Sequence, residues 1–104
     1  MSSIRILVAD DHGIVRQGLK LLINNEPDME VVGEAADGNG VLQQATALSP
    51  DIVIMDISMP GMNGLSATRA LKNMQRNIAI LALTRHDDHT HLDNCFERVR
   101  QATS

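Results

Sequence analysis

The sequence predicts an open, doubly wound parallel α/β sheet, and three observations carry that prediction. Short β-branched or apolar runs alternate strictly with amphipathic helical stretches, four times over. One of these runs, Ile52-Val53-Ile54-Met55, is apolar at every position, as a strand covered on both faces must be. No shift in composition divides the 104 residues, so they fit one domain with one small core.

The first run, Ile4-Arg5-Ile6-Leu7-Val8-Ala9, is ended by Asp10 and Asp11. Ile14, Val15, Gly18, Leu19, Leu22 and Ile23 then recur at helical spacing, with Asp11 as the expected N-cap and Asn24-Asn25-Glu26-Pro27 as the stop. Met29 to Ala35 reads as a second strand. Asp37-Gly38-Asn39-Gly40 reads as a turn into a helix bearing Val41, Leu42, Ala45 and Leu48, which Ser49-Pro50 closes. Ile52-Val53-Ile54-Met55 predicts a central strand with Asp56 at its carboxyl end. Beyond the loop Met59-Pro60-Gly61-Met62-Asn63-Gly64 come a third helix, with Leu65, Thr68, Leu71 and Lys72, and a fourth strand from Ile78 to Leu83. Leu92, Cys95, Phe96 and Val99 fall at i, i+3, i+4 and i+7 and predict a fourth helix. Such βα units wind right-handedly, and ligands bind at the carboxyl ends of their strands.

Apolar residues make up 43% of the chain and charged residues 21%, the balance of a soluble globular protein. The formal charge of −4 gives no basic footprint, so direct nucleic acid binding by this chain is not expected. No apolar run approaches the roughly 20 residues of a membrane span. The first apolar run leads into aspartates rather than a cleavage site, so no signal peptide is expected. The lone Cys95 cannot form an internal disulfide and suits a reducing, cytoplasmic setting.

Strands one and three side by side bring Asp10, Asp11 and Asp56 to one edge of the sheet. Carboxylates at close range repel, and a cation is the economical way to hold them together. Hard oxygen donors at this density suit Mg²⁺, which binds a few carboxylates together with a substrate phosphate. Asp56 is then placed to act as a carboxylate nucleophile toward phosphorus. Other motifs carry less. His86, His89 and His91 with Asp87 and Asp88 read as a solvated helix start rather than a metal site. Asp37-Gly38-Asn39-Gly40 lacks the later oxygen donors of a calcium loop, and the sequence contains no glycine-rich nucleotide-binding fingerprint.

Val8-Ala9-Asp10-Asp11-His12, Asp51 to Gly64 with its Met55-Asp56-Ile57-Ser58-Met59-Pro60-Gly61 core, and Leu81-Ala82-Leu83-Thr84 together resemble the receiver domains of two-component response regulators, in the wording of the NarL/LuxR-type subfamily. The resemblance runs over about residues 3 to 90. It implies a flavodoxin-like (CheY-like) fold and phosphorylation of Asp56 by a sensor histidine kinase in a Mg²⁺-dependent reaction. It also implies Asp10, Asp11, Asp56 and the Ser58 backbone carbonyl as metal ligands, and Thr84 as the hydroxyl that reports the modification. In full-length relatives such a domain regulates transcription. An aspartate-nucleophile phosphatase would need an acid two residues after the nucleophile, where Ser58 stands.

The family also places a lysine at the end of a fifth strand, and here the pattern departs. The chain reads as four βα units with no fifth strand, so residues 1–104 are expected to form a receiver domain incomplete at its C-terminus, without an effector domain. Lys20 and Lys72, the two lysines, both fall on helices. Arg85, Arg98 and Arg100 remain as substitute charges, although charges at helical spacing are usually solvated. The fourth strand is then a sheet edge, which predicts a homo-oligomer through that strand or the tail helix. The alternative reading is a receiver-like interaction or dimerisation module that cannot switch.

Overall fold

The computed structural model describes residues 3–56, 64–74, 78–83, 97 and 99–101. Strand β1 (Ile4–Ala9) leads into helix α1 (Gly13–Asn24), β2 (Met29–Ala35) into α2 (Gly38–Leu48), β3 (Ile52–Asp56) into α3 (Gly64–Met74), and β4 (Ala79–Leu83) follows. The strands form one parallel sheet in the order β2-β1-β3-β4. This is the order of a flavodoxin-like doubly wound sheet up to its fourth strand, and no fifth strand occurs among the described residues.

Alternation along the central strands builds two cores. Leu7 and Ala9 of β1 with Val53 and Met55 of β3 face α2 and α3, where they meet Val41, Ala45 and Leu71. Ile6 and Val8 with Ile52 and Ile54 face the other way, toward Leu19 and Ile23 of α1. Both strands are therefore apolar at successive positions because each side chain has a layer of helix to bury it. Complete burial of a Leu or Ile contributes about 1.5–3 kcal/mol, which makes these two clusters the main stabilising features.

Helix α1 departs from its expected start and face. Its N-cap is His12, in extended conformation and without a side-chain capping bond, rather than Asp11. The Asp11 carboxylate lies beside the His12 ring, 3.0 Å from its Nδ1. The inward stripe is Val15, partly buried, with the buried Leu19 and Ile23 at fourfold spacing, which leaves Ile14 one residue off the stripe and exposed. Helix α2 begins inside the expected turn. The Asp37 side chain accepts a 2.7 Å hydrogen bond from the Gly40 N–H, and this cap draws Gly38-Asn39-Gly40 into the first helical turn. Ser49 ends α2 in the left-handed region, at φ 48° and ψ 60°, before Pro50.

Of the expected fourth helix, residues 97 and 99–101 are described and helical. Val99 is fully buried in the α1-side cluster, and Arg100 pairs with Glu26 just past the end of α1. Leu92, Cys95 and Phe96 lie outside the described residues, as do His86, His89 and His91.

Candidate functional site at the carboxyl edge of the sheet

The register of β1 against β3 pairs Ala9 with Met55, so Asp10 and Asp56 each stand one residue further along neighbouring strands. Asp56 closes β3 and pairs in register with Leu83 of β4 on its other side. Both aspartates are almost wholly enclosed, with 1% of Asp10 and 2% of Asp56 exposed, whereas Asp11 is open to solvent. Carboxylates are rarely buried to this degree unless paired or liganded, which marks the location as a built site.

Local hydrogen bonds hold the acid pair in place. The Asp10 N–H donates to the Ala35 carbonyl of β2 at 3.0 Å. Asp10 Oδ1 accepts from the His12 N–H at 2.8 Å, closing a turn between strand and helix. Arg16, one turn into α1, points back toward the helix start, as helical side chains do. Its Nη1 donates to the Asp10 carbonyl at 2.7 Å and its Nε to Glu34 Oε1 at 3.1 Å. Lys20 Nζ binds the other Glu34 oxygen at 2.6 Å. The hydrogen bond from Lys20, with help from Arg16 and against a smaller opposing effect of burial, holds the Glu34 carboxyl below its usual range.

One ligand atom each from Asp10, Asp11, His12 and Asp56 can be drawn within 4.8 Å of one another. Three carboxylates from two strand ends form a hard, anionic donor set, and this set fits a divalent cation such as Mg²⁺. The expected juxtaposition of Asp10, Asp11 and Asp56 is therefore present. Ser58 and Thr84 lie outside the described residues, although Thr84 directly follows Leu83, the register partner of Asp56.

Neither lysine reaches this edge. Lys20 is engaged with Glu34, and Lys72 donates to the Ile78 carbonyl at the opposite, amino end of β4. Arg100 is no substitute charge, because its partner Glu26 lies beyond the far end of a helix about 18 Å long. Arg85 and Arg98 lie outside the described residues. Two residues that the sequence reading did not assign to the site do belong to its surroundings: His12, whose Nδ1 is 3.0 Å from Asp11 Oδ1, and Arg16. The run Asp-Asp-His, three metal-ligand types in succession, was the available signal for the first. A cation one helical turn after the acid pair was the signal for the second.

Among the described residues, a four-stranded parallel sheet flanked by helices, with buried acids at its carboxyl edge, defines a doubly wound α/β domain, a class in which ligands bind at that edge. The particular family follows from comparison with known proteins. The family model of the response regulator receiver domain matches residues 6–99, and the chain belongs to that family. The match continues past residue 90, where the motif resemblance ends. The oxygen regulatory protein NreC of Staphylococcus haemolyticus is 44% identical over 89 residues, covering 85% of this chain and 41% of that protein. The nitrate/nitrite response regulator protein NarL of Escherichia coli K12 is 40% identical over 85 residues, covering 80% and 39% respectively. The chain thus spans about two fifths of the length of these relatives. Among solved structures, a LuxR-family two-component response regulator from Aurantimonas sp. SI85-9A1 superposes with a TM-score of 0.76 at 38% identity, covering 92% of this chain and 69% of that one.

Proposed function

We propose that this receiver domain is a phosphoacceptor rather than an enzyme, and that a sensor histidine kinase transfers its phosphoryl group to Asp56. The observation that carries this reading is the strand register that sets a buried Asp56 beside Asp10, with Asp11 adjoining, at the carboxyl edge. Asp10, Asp11, Asp56 and the Ser58 carbonyl would hold Mg²⁺. The bound ion would supply charge neutralisation for the carboxylates and the incoming phosphoryl oxygens.

The chain's own residues supply the rest. A carboxylate oxygen of Asp56 attacks phosphorus, an O–P bond forms as the P–N bond of a phosphohistidine breaks, and the leaving imidazole nitrogen takes up a proton. Pairing of Asp56 with β4 and of Met55, just before it, with β1 supports an attacking oxygen positioned before the donor arrives. The Asp10 turn, tied to β2 and to Arg16, keeps the acid pair facing it. Thr84, next to the register partner of Asp56, is assigned the switch hydroxyl by its place in the motif. The domain would act in the cytoplasm and pass its state to transcriptional output, as the relatives' descriptions as regulators suggest. No helix among the described residues is long and apolar enough to cross a membrane.

Intact mass after incubation with Mg²⁺ and a small phosphoramidate tests the proposal. One phosphoryl adduct is expected on the wild-type chain and none on Asp56→Asn. An unmodified wild-type chain, or an equal adduct on the variant, would remove Asp56 from the role.

A further inference from the structure

We propose that His12 sets which cation this edge takes, making it a mixed nitrogen and oxygen site that favours borderline ions of the Ni²⁺ class over what carboxylates alone would bind. The inference rests on the reading of Asp10, Asp11 and Asp56 as a cation site and adds a specificity-determining residue to it. His12 occupies the N-cap position of α1 but makes no capping bond through its side chain. Its ring lies instead over the acid pair, with Nδ1 3.0 Å from Asp11 Oδ1 and 3.5 Å from Asp10 Oδ1. Its own N–H is bonded to Asp10 Oδ1 at 2.8 Å, so backbone and ring are fixed to the same carboxylates. A ring nitrogen falls within 4.8 Å of ligand oxygens from all three aspartates, close enough for one ion to draw them together.

The donor chemistry then decides the selectivity. Mg²⁺ prefers oxygen and gains little from an imidazole, whereas Ni²⁺ and Zn²⁺ bind imidazole well and stand higher in the affinity order of divalent ions. Any such site favours Ni²⁺ over Mg²⁺ to some extent, so the informative quantity is how the ratio changes when the nitrogen is removed. Asn at position 12 retains a short polar side chain able to hydrogen-bond Asp11 while removing the imidazole ligand.

The test is a titration of the metal-stripped, ¹⁵N-labelled full chain with NiCl₂, following paramagnetic broadening of the amides of Ala9 to Gly13, and a separate titration with MgCl₂ following their shifts. Both titrations are made on a chain carrying His86→Asn, His89→Asn and His91→Asn, so that the broadening reports the cluster. His12→Asn is expected to weaken Ni²⁺ binding at the cluster tenfold or more and to change Mg²⁺ binding less than twofold. Equal losses for both ions, or none for either, would overturn the role of His12 while leaving the cation site intact. If neither ion affects these amides in the chain that keeps His12, the underlying reading of the carboxylates fails as well.

Discussion

Glu34 shows how single residues support the site without touching it. Its carboxylate bridges Lys20 and Arg16, and Arg16 in turn holds the Asp10 carbonyl. Because the folded-state pKa of Glu34 is depressed, the ionised form is favoured by folding. Its stabilising effect is fully present above the ordinary glutamate pKa, about 4.3, and is lost as pH falls through the depressed value. Glu34→Gln is therefore expected to lower stability near neutral pH by about 1 kcal/mol, as partly exposed ion pairs do. The gap from wild type should close in acid, and urea unfolding at pH 7 and pH 3.5 checks this; a gap that stays constant with pH would exclude the ion pair as its cause. The buried aspartates were legible in the sequence because apolar strands of this kind must lie side by side, and their ends then coincide. His12 and Arg16 were not legible as site residues. Their contributions depend on how the strand turns into the helix, and a helical pattern does not specify that turn.

Elements were easiest to read where both faces are buried. Runs such as Ile52-Val53-Ile54-Met55 admit one interpretation, since burial on two sides leaves no room for polar alternation. Element ends were harder, because they depend on single capping contacts. Asp37 extends α2 back through two glycines that on propensity alone belong to a turn. The other end of α2 leads to a prediction. Ser49 holds a left-handed conformation that costs a side-chain-bearing residue about 1 kcal/mol, and glycine adopts it without strain. The Arg5 Nη1 contact to Ser49 is made with the main-chain carbonyl and does not depend on the serine side chain. Ser49→Gly is thus expected to raise stability by about 0.5–1 kcal/mol, measured as a shift in the denaturant midpoint with unchanged slope. A lower midpoint would mean that the hydroxyl contributes more than the strain costs.

For the molecule as a whole, strict alternation of strand and helix gave the parallel α/β class, and the flavodoxin-like arrangement of the strands came with the family resemblance. The tail was less legible. Its periodicity correctly gave an apolar face at Val99, but which side of the sheet it covers is settled only by packing against α1. Among the described residues β4 pairs with β3 alone, with Ala79 and Ala82 exposed along it. An unpaired strand edge is a template for another chain, and we propose that copies of this chain associate through β4 or the tail. Sedimentation at micromolar concentration is expected to give a dimer or larger species. Ala82→Lys, which places a charge on that strand, should shift the mass toward the monomer if β4 is the joint. A wild-type chain that stays monomeric over this range contradicts the proposal.

Asp56 belongs to a strand with neighbours on both sides, and this has a mechanical meaning. That strand is the fixed jaw of a vice: β1 holds it as far as Met55, β4 holds it through Asp56, and the two cores clamp it from above and below. A group attached to its carboxylate cannot be accommodated by withdrawing the acceptor, because that would break the ladder and open both cores together. If Asp56 is modified as proposed, the added group would act as a wedge driven against a strand that does not give way.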